Sequence, residues 1–220
     1  AQVQVTTTIS ELPVVGDVIG KTTSILLLDV TQDGDTLRIK EQMCDIRIDT
    51  SAKRVRTIIP RAFQRAASGT VRKATISVDD SGALSFVEHP KVVVLGAKLK
   101  NAARDALPED EDDERLVDLD KDGNPGLTIK IEGIIDGEMY IVQRGKNTMK
   151  GTLDPSSDII SGKITWSSEQ SVVDSTSMFL RSSPDSKPHG GTAKNFFKMK
   201  KIDASTSCDD LRKNHATILK

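Results

Sequence analysis

At 220 residues, with 36% hydrophobic and 29% charged side chains, the chain is long enough to bury a core and too apolar to remain unfolded throughout. A formal net charge of −1 and an aromatic content of 3% argue against a nucleic-acid binder, which needs a positive surface and rings for bases to stack on. No run approaches the roughly 18 apolar residues of a membrane helix, so no transmembrane segment is expected.

The chain opens at Ala1-Gln2, which fits a mature end after a small-residue signal-peptidase site and predicts export, to the periplasm or outside the cell. Val3 to Ile9 reads as an apolar strand free to pair with an edge on another copy, so a homo-oligomer or larger assembly through edge strands is expected. Thr22 to Asp29 and Thr36 to Glu41 flank Gln32-Asp33-Gly34-Asp35, a hairpin connection rich in turn formers. Lys53 to Lys73 holds seven cations and no acid. Inside it, Pro60 suits a first helical turn and Arg61 to Ala67 reads as a helix ending at Ser68-Gly69.

Alternation returns in Thr75 to Val78, followed by the turn Asp79-Asp-Ser-Gly82 and Leu84 to Phe86. Ala97 to Ala106 predicts a second helix, with Leu99, Ala102, Ala103 and Ala106 on one face and Pro108 as its stop. A subdivision near residue 107 is the alternative to a single domain, with 108–126 an acidic calcium-type loop. Beyond it, Leu127 to Ile135 and Glu138 to Arg144 flank Asp136-Gly137, a favoured type I′ turn pair. Further strands are expected at Thr148 to Leu153, Ile159 to Trp166, Gln170 to Val173 and Ala193 to Ile202. Ser182 to Gly191 is a loop by composition, and Cys208 to His215 reads as a third helix. The sum is an all-β chain, 1–220 as one β-rich domain. It reads as an antiparallel meander of some ten strands closing as a β-barrel or sandwich, with one to three short helices.

The most specific motif is Asp118-Leu-Asp120-Lys-Asp122-Gly123-Asn124. Carboxylates at alternate positions before a glycine match positions 1, 3, 5 and 6 of a calcium loop, and Asn124 offers its carbonyl at position 7. Position 12 is Ile129 where a bidentate glutamate would stand, so Glu132 or Glu114 is the expected closing acid. The predicted ligands are Asp118, Asp120, Asp122, Asn124 and Glu132, and the predicted cofactor is a structural Ca2+. A solvated acidic turn is the plain alternative, because Asp, Asn and Gly are ordinary turn residues. Cys44 and Cys208 fit one long-range disulfide in an oxidising compartment, or else two buried thiols.

Three scattered histidines give no zinc signature, and no nucleophile elbow, phosphate loop or dinucleotide fingerprint is present. No catalytic residue is therefore assigned. The expected function is a non-enzymatic structural or binding component of the cell envelope or extracellular matrix, self-assembling through strand edges. The alternatives are a lipocalin-like carrier of a small apolar ligand, which needs a hollow interior, and a carboxylate-dependent hydrolase, which needs two acids facing each other across a cleft.

Overall fold

The computed structural model describes residues 1–12, 16–78, 80, 82–183 and 185–219. Alternation with a period of two becomes strand, and the strands run longer than their sequence signals because partners on both sides satisfy their backbone groups. In chain order they are β1 (Gln2–Leu12), β2 (Gly16–Asp33), β3 (Thr36–Thr50), β4 (Val55–Ile58), β5 (Val71–Val78), β6 (Leu84–Glu88), β7 (Lys91–Leu95), β8 (Leu127–Gly133), β9 (Gly137–Asp154), β10 (Ile159–Ser175), β11 (Asp185–Pro188) and β12 (Phe196–Lys200). Two helices accompany them, α1 (Arg61–Ala66) and α2 (Cys208–Ile218).

All twelve strands belong to one antiparallel sheet. Its hydrogen-bonded path runs β1, β2, β3, β5, β6, β9, β10, β12 and returns to β1, so the expected meander closes into a ring. Long strands project beyond the ring, and β9 there pairs with β7 and β8, while β8 pairs in turn with β4. Strands on both sides of residue 107 share this sheet.

Inward-facing Leu37, Ile39, Ala74, Phe86, Met149, Ile164 and Phe197 form the core of the ring. Phe86 and Phe197 meet at 5.7 Å between ring centroids. They fit because Gly151 and Gly162 are directly opposed on β9 and β10. A Cβ at Gly151 would stand 2.9 Å from Phe197 Cζ, and one at Gly162 would stand 2.0 Å from the carbonyl oxygen of Lys150. Where β9 and β10 leave the ring they build a second core with α1 from Ile59, Phe63, Leu127, Ile129, Met139, Ile141, Val172 and Leu180. The amphipathic α2 packs Leu211 and Leu219 onto Ala1, Val3, Val5, Ile25 and Cys44, outside the ring. Its start is fixed by a capping box, in which Ser207 Oγ accepts from the Asp210 N–H and Asp210 accepts from the Ser207 N–H.

The ring also encloses charge. Arg72, 4% exposed, donates to Glu88 Oε2 and, at 3.0 Å, to Gln2 Oε1, and its Nε stands 2.7 Å from Glu41 Oε2. Gln2 Nε2 donates onward to Met149 Sδ at 3.1 Å.

Several expectations are corrected. The N-terminal strand offers no edge, because β1 pairs with β2 on one side and with β12 and β11 on the other. Residues 97–106 form turns rather than a helix. Asn101 Oδ1 accepts from the Ala103 N–H and Asp105 Oδ2 from the Asn101 N–H, so side chains take the donors a helix start would leave open. The β8–β9 turn is not a two-residue Asp-Gly turn. The last β8–β9 pair is Ile131 with Gly137, Glu132 and Gly133 stay paired with β4, and Gly137 instead admits Thr176 and Leu180, 2.9 Å from where its Cβ would stand. The segments expected at 148–153 and 170–173 are parts of the uninterrupted β9 and β10. In the turn expected at 79–82, Asp79 and Ser81 lie outside the described residues.

Candidate metal centre

The segment joining β7 to β8, residues 96–126, folds back over the outer face of β9 and β10. Leu107 and the partly buried Ala97, Leu99 and Leu116 cover Tyr140, Val142 and Val173. Two glycines allow the close approach. Gly96 and Gly126 have φ of +85° and +80°, and a Cβ would stand 2.8 Å and 2.3 Å, respectively, from the carbonyl oxygen of Ile141 on β9. The Val117 N–H donates to Gly96 O and the Leu119 N–H to Gly126 O, which fixes both ends of the aspartate run.

Local turn chemistry then gathers the acids. Asp118 Oδ1 accepts from the Asp122 N–H at 3.2 Å and its Oδ2 from the Gly123 N–H at 3.0 Å. Asp122 Oδ1 accepts from the Asn124 N–H at 3.0 Å. Lys121 and Gly123 take left-handed φ of 62° and 90°, which turns the backbone around the carboxylates. One oxygen from each of Asp118, Asp120 and Asp122 falls within 4.8 Å of the others. Two oxygens bound to one calcium ion at 2.3–2.6 Å stand at most about 5 Å apart, so the spread fits a common ion.

Asp120 gives the second observation. It is 9% exposed; Oδ2 accepts from the Thr128 N–H at 3.0 Å, while Oδ1 is buried without a hydrogen-bond partner. Burial pushes the Asp120 carboxyl up, the Thr128 N–H opposes that, and the charges of Asp122 and Asp118 add to it. A buried carboxylate oxygen with no donor and two acidic neighbours has an unmet demand for positive charge. Asp122 differs. Burial works against its ionised form, but hydrogen bonds from Thr128 Oγ1 (2.5 Å) and Asn124 hold its carboxyl below the usual range.

The predicted ligand set is thus brought together in part. Asp118, Asp120 and Asp122 converge, with Asn124 beside Asp122. Glu132 is not in the cluster. It lies four residues beyond Thr128 on β8, roughly 13 Å along an extended strand, and accepts from Arg56 at 2.8 Å. Thr128 is the residue that sequence reading missed. It is the second residue of β8 and donates to two of the aspartates, and a hydroxyl at the loop-to-strand junction was its only sequence signal.

Cys44 and Cys208 form a disulfide with Cα atoms 5.0 Å apart, tying β3 to α2 across 164 positions of sequence. Among the described residues no ion pair joins the basic stretch 53–73 to the acids between Glu109 and Asp122. Arg61 stands near Asp45, Arg56 meets Glu132, and Arg115 folds onto Asp113, whose carboxyl it holds down at about 2. Among the described residues no helix is long and apolar enough to cross a membrane. No family profile, curated protein or solved structure matches this chain.

Proposed function

We propose that this chain is an exported, non-enzymatic β-protein that serves as a structural or binding component of the cell envelope or extracellular matrix, with one calcium ion held by Asp118, Asp120 and Asp122. The observation that carries the reading is how the ring is filled. Phe86, Phe197, Met149, Ile39 and the Arg72–Glu88–Gln2 group, each 0–4% exposed, occupy the space a carrier would keep for its ligand. The sheet is thereby a scaffold whose working surfaces face outward.

The disulfide agrees with an oxidising compartment. The buried polar groups of the ring engage one another rather than face each other across an open cleft, as a pair of hydrolytic carboxylates must. Calcium supplies the positive charge that Asp120 Oδ1 lacks, and it belongs to the structure of the loop rather than to a reaction. Strand-edge assembly has a narrower route than β1 would have given. β4 pairs with β8 alone among the described residues and leaves its other edge for a partner.

Isothermal titration of the metal-stripped protein with calcium, followed by light scattering on a sizing column with calcium and with chelator, tests both parts. One site per chain and a calcium-dependent assembly support the reading. Absence of binding removes the ion, and a monomer under both conditions removes self-assembly.

A further inference from the structure

The strand register places like charges face to face. In an antiparallel pair, directly opposed residues share a face and their Cβ atoms stand about 5 Å apart. Leu37, Ile39, Ala74, Met149 and Ile164 point into the ring, so the residues between them point out. On β3 and β5 this opposes Arg38 to Lys73, and on β9 and β10 it opposes Lys150 to Lys163. All four are exposed. Thr36, Thr75, Val87, Lys150 and Lys163 form one continuous outward row across five strands, with Arg38 and Lys73 two positions along from it. Lys146 and Lys198 stand on the same face, four residues from Lys150 on β9 and opposite Ser161 on β12.

Among the described residues none of these six cations forms an ion pair. The carboxylates on this face stand at its margins, Asp29 and Asp33 on β2 and Asp154 and Glu169 toward the two ends of the β9–β10 pair. Opposed like charges destabilise a sheet, and a protein of net charge −1 has acids enough to pair with them. A local rule broken twice on one face, with no ion pair among the described residues to offset it, marks a surface that counter-charge from outside would stabilise.

We propose that the outward face of β3, β5, β6, β9 and β10 docks an acidic polysaccharide, a linear polymer carrying carboxylate or sulfate groups. The proposal deepens the reading of the protein as an exported binding component and rests on it for the compartment. Cation pairs at strand spacing on β3–β5 and on β9–β10, with the uncharged outward residues of β6 between them, suit contact with an extended polyanion, and Lys and Arg are the natural donors to its oxyanions. Among the described residues no exposed aromatic side chain stands on this face for bases to stack on. Among the described residues no exposed large apolar side chain stands on these outward rows to enter a bilayer: Val30 and Val78 share the inward parity of Ile39 and Ala74, Ile19 lies on β2, and Ile134, Met178 and Phe179 lie at the opposite end of β9 and β10. The segment that carries the acidic 109–122 stretch covers the other end of this same outer face, over Tyr140, Val142 and Val173, and would repel a polyanion there, which confines binding to the end that holds Lys150 and Lys163.

The test is binding of the oxidised full chain to fluorescent dextran sulfate and polyuronate, with neutral dextran as control and duplex DNA and anionic phospholipid vesicles as rival ligands. Expected is binding to an acidic polysaccharide that weakens at least tenfold between about 50 and about 200 mM salt, with none to neutral dextran. The Lys150→Gln/Lys163→Gln variant weakens it at least tenfold, while Lys53→Gln/Arg65→Gln leaves it unchanged. Lys150→Glu separates folding from binding, because it turns a repulsive pair attractive. Its melting temperature stays level or rises while binding is lost. Tighter binding to DNA or vesicles, no binding to any polyanion, or equal binding by Lys150→Gln/Lys163→Gln overturns the proposal. With secretion and the disulfide intact, such a failure leaves the exported-component reading standing.

Discussion

Arg72 shows how a single residue sets the character of an interior. It is one cation facing two acids, the partly buried Glu41 and the fully buried Glu88, and Glu88 Oε1 has no partner of its own. Replacing Arg72 with Met leaves both carboxylates uncompensated and is expected to cost about 3–5 kcal/mol in a denaturant melt. Glu41 gives a pH signature. Burial pushes its carboxyl up, and Arg72 and Lys91 only partly pull it back. The folded state therefore binds this proton more readily than the unfolded chain. Its contribution to stability is complete below the unfolded carboxylate value and is lost as pH rises through the folded one. Melts between neutral and mildly acidic pH should show a gain on acidification that is smaller in Glu41→Gln. Nothing in the Lys53 to Lys73 run singled out Arg72 as the cation that turns inward. Its inward position depends on the register between β3 and β5, which is not a local property.

At the scale of elements, glycines decide where strands and loops touch. Gly162→Ala would push a methyl into Lys150 O and is expected to destabilise by about 1–3 kcal/mol, read as a lowered denaturation midpoint. The aspartate loop is an element whose stability depends on its ion. If calcium binds there, calcium at a hundredfold over its dissociation constant raises the unfolding free energy by about 2.7 kcal/mol. In Asp120→Asn that increment should vanish in a calcium titration of the melting curve, since the loop loses the carboxylate that reaches inward. Alternation of carboxylates before Gly123 made the three-acid cluster legible in advance. The closing residue was not legible, because Glu132 lies on a strand whose pairing with β4 commits it to Arg56. The Ala97 to Ala106 helix failed for a local reason, as Asn101 and Asp105 compete for the backbone donors that helix formation needs.

For the whole molecule, the disulfide is the longest constraint. Loop-closure entropy over 164 residues corresponds to about 5 kcal/mol, so Cys208→Ser should lose up to that amount in equilibrium unfolding, and reductant should have the same effect on the parent protein. The ring predicts a second global property. With closure made by β12 between β10 and β1, removing residues 196–219 would open the ring, undock α2 and expose the edges of β1 and β10. Such a truncation should aggregate, as measured by scattering at a concentration where the full chain stays clear.

Alternating side chains, turn chemistry and cysteine count sufficed to specify an antiparallel β-protein with a helix after Pro60, a helix near the end and an acidic triad, because each is written in residues close together in the chain. Tertiary structure decided the rest. It buried Arg72 with Glu41 and Glu88, joined Cys44 to Cys208, withdrew β1 from the edge and set lysine opposite lysine on the outer face. These outcomes depend on strand order and register, and those follow from which distant segments bury their apolar faces together, an energy shared by the whole chain rather than carried by any stretch of it.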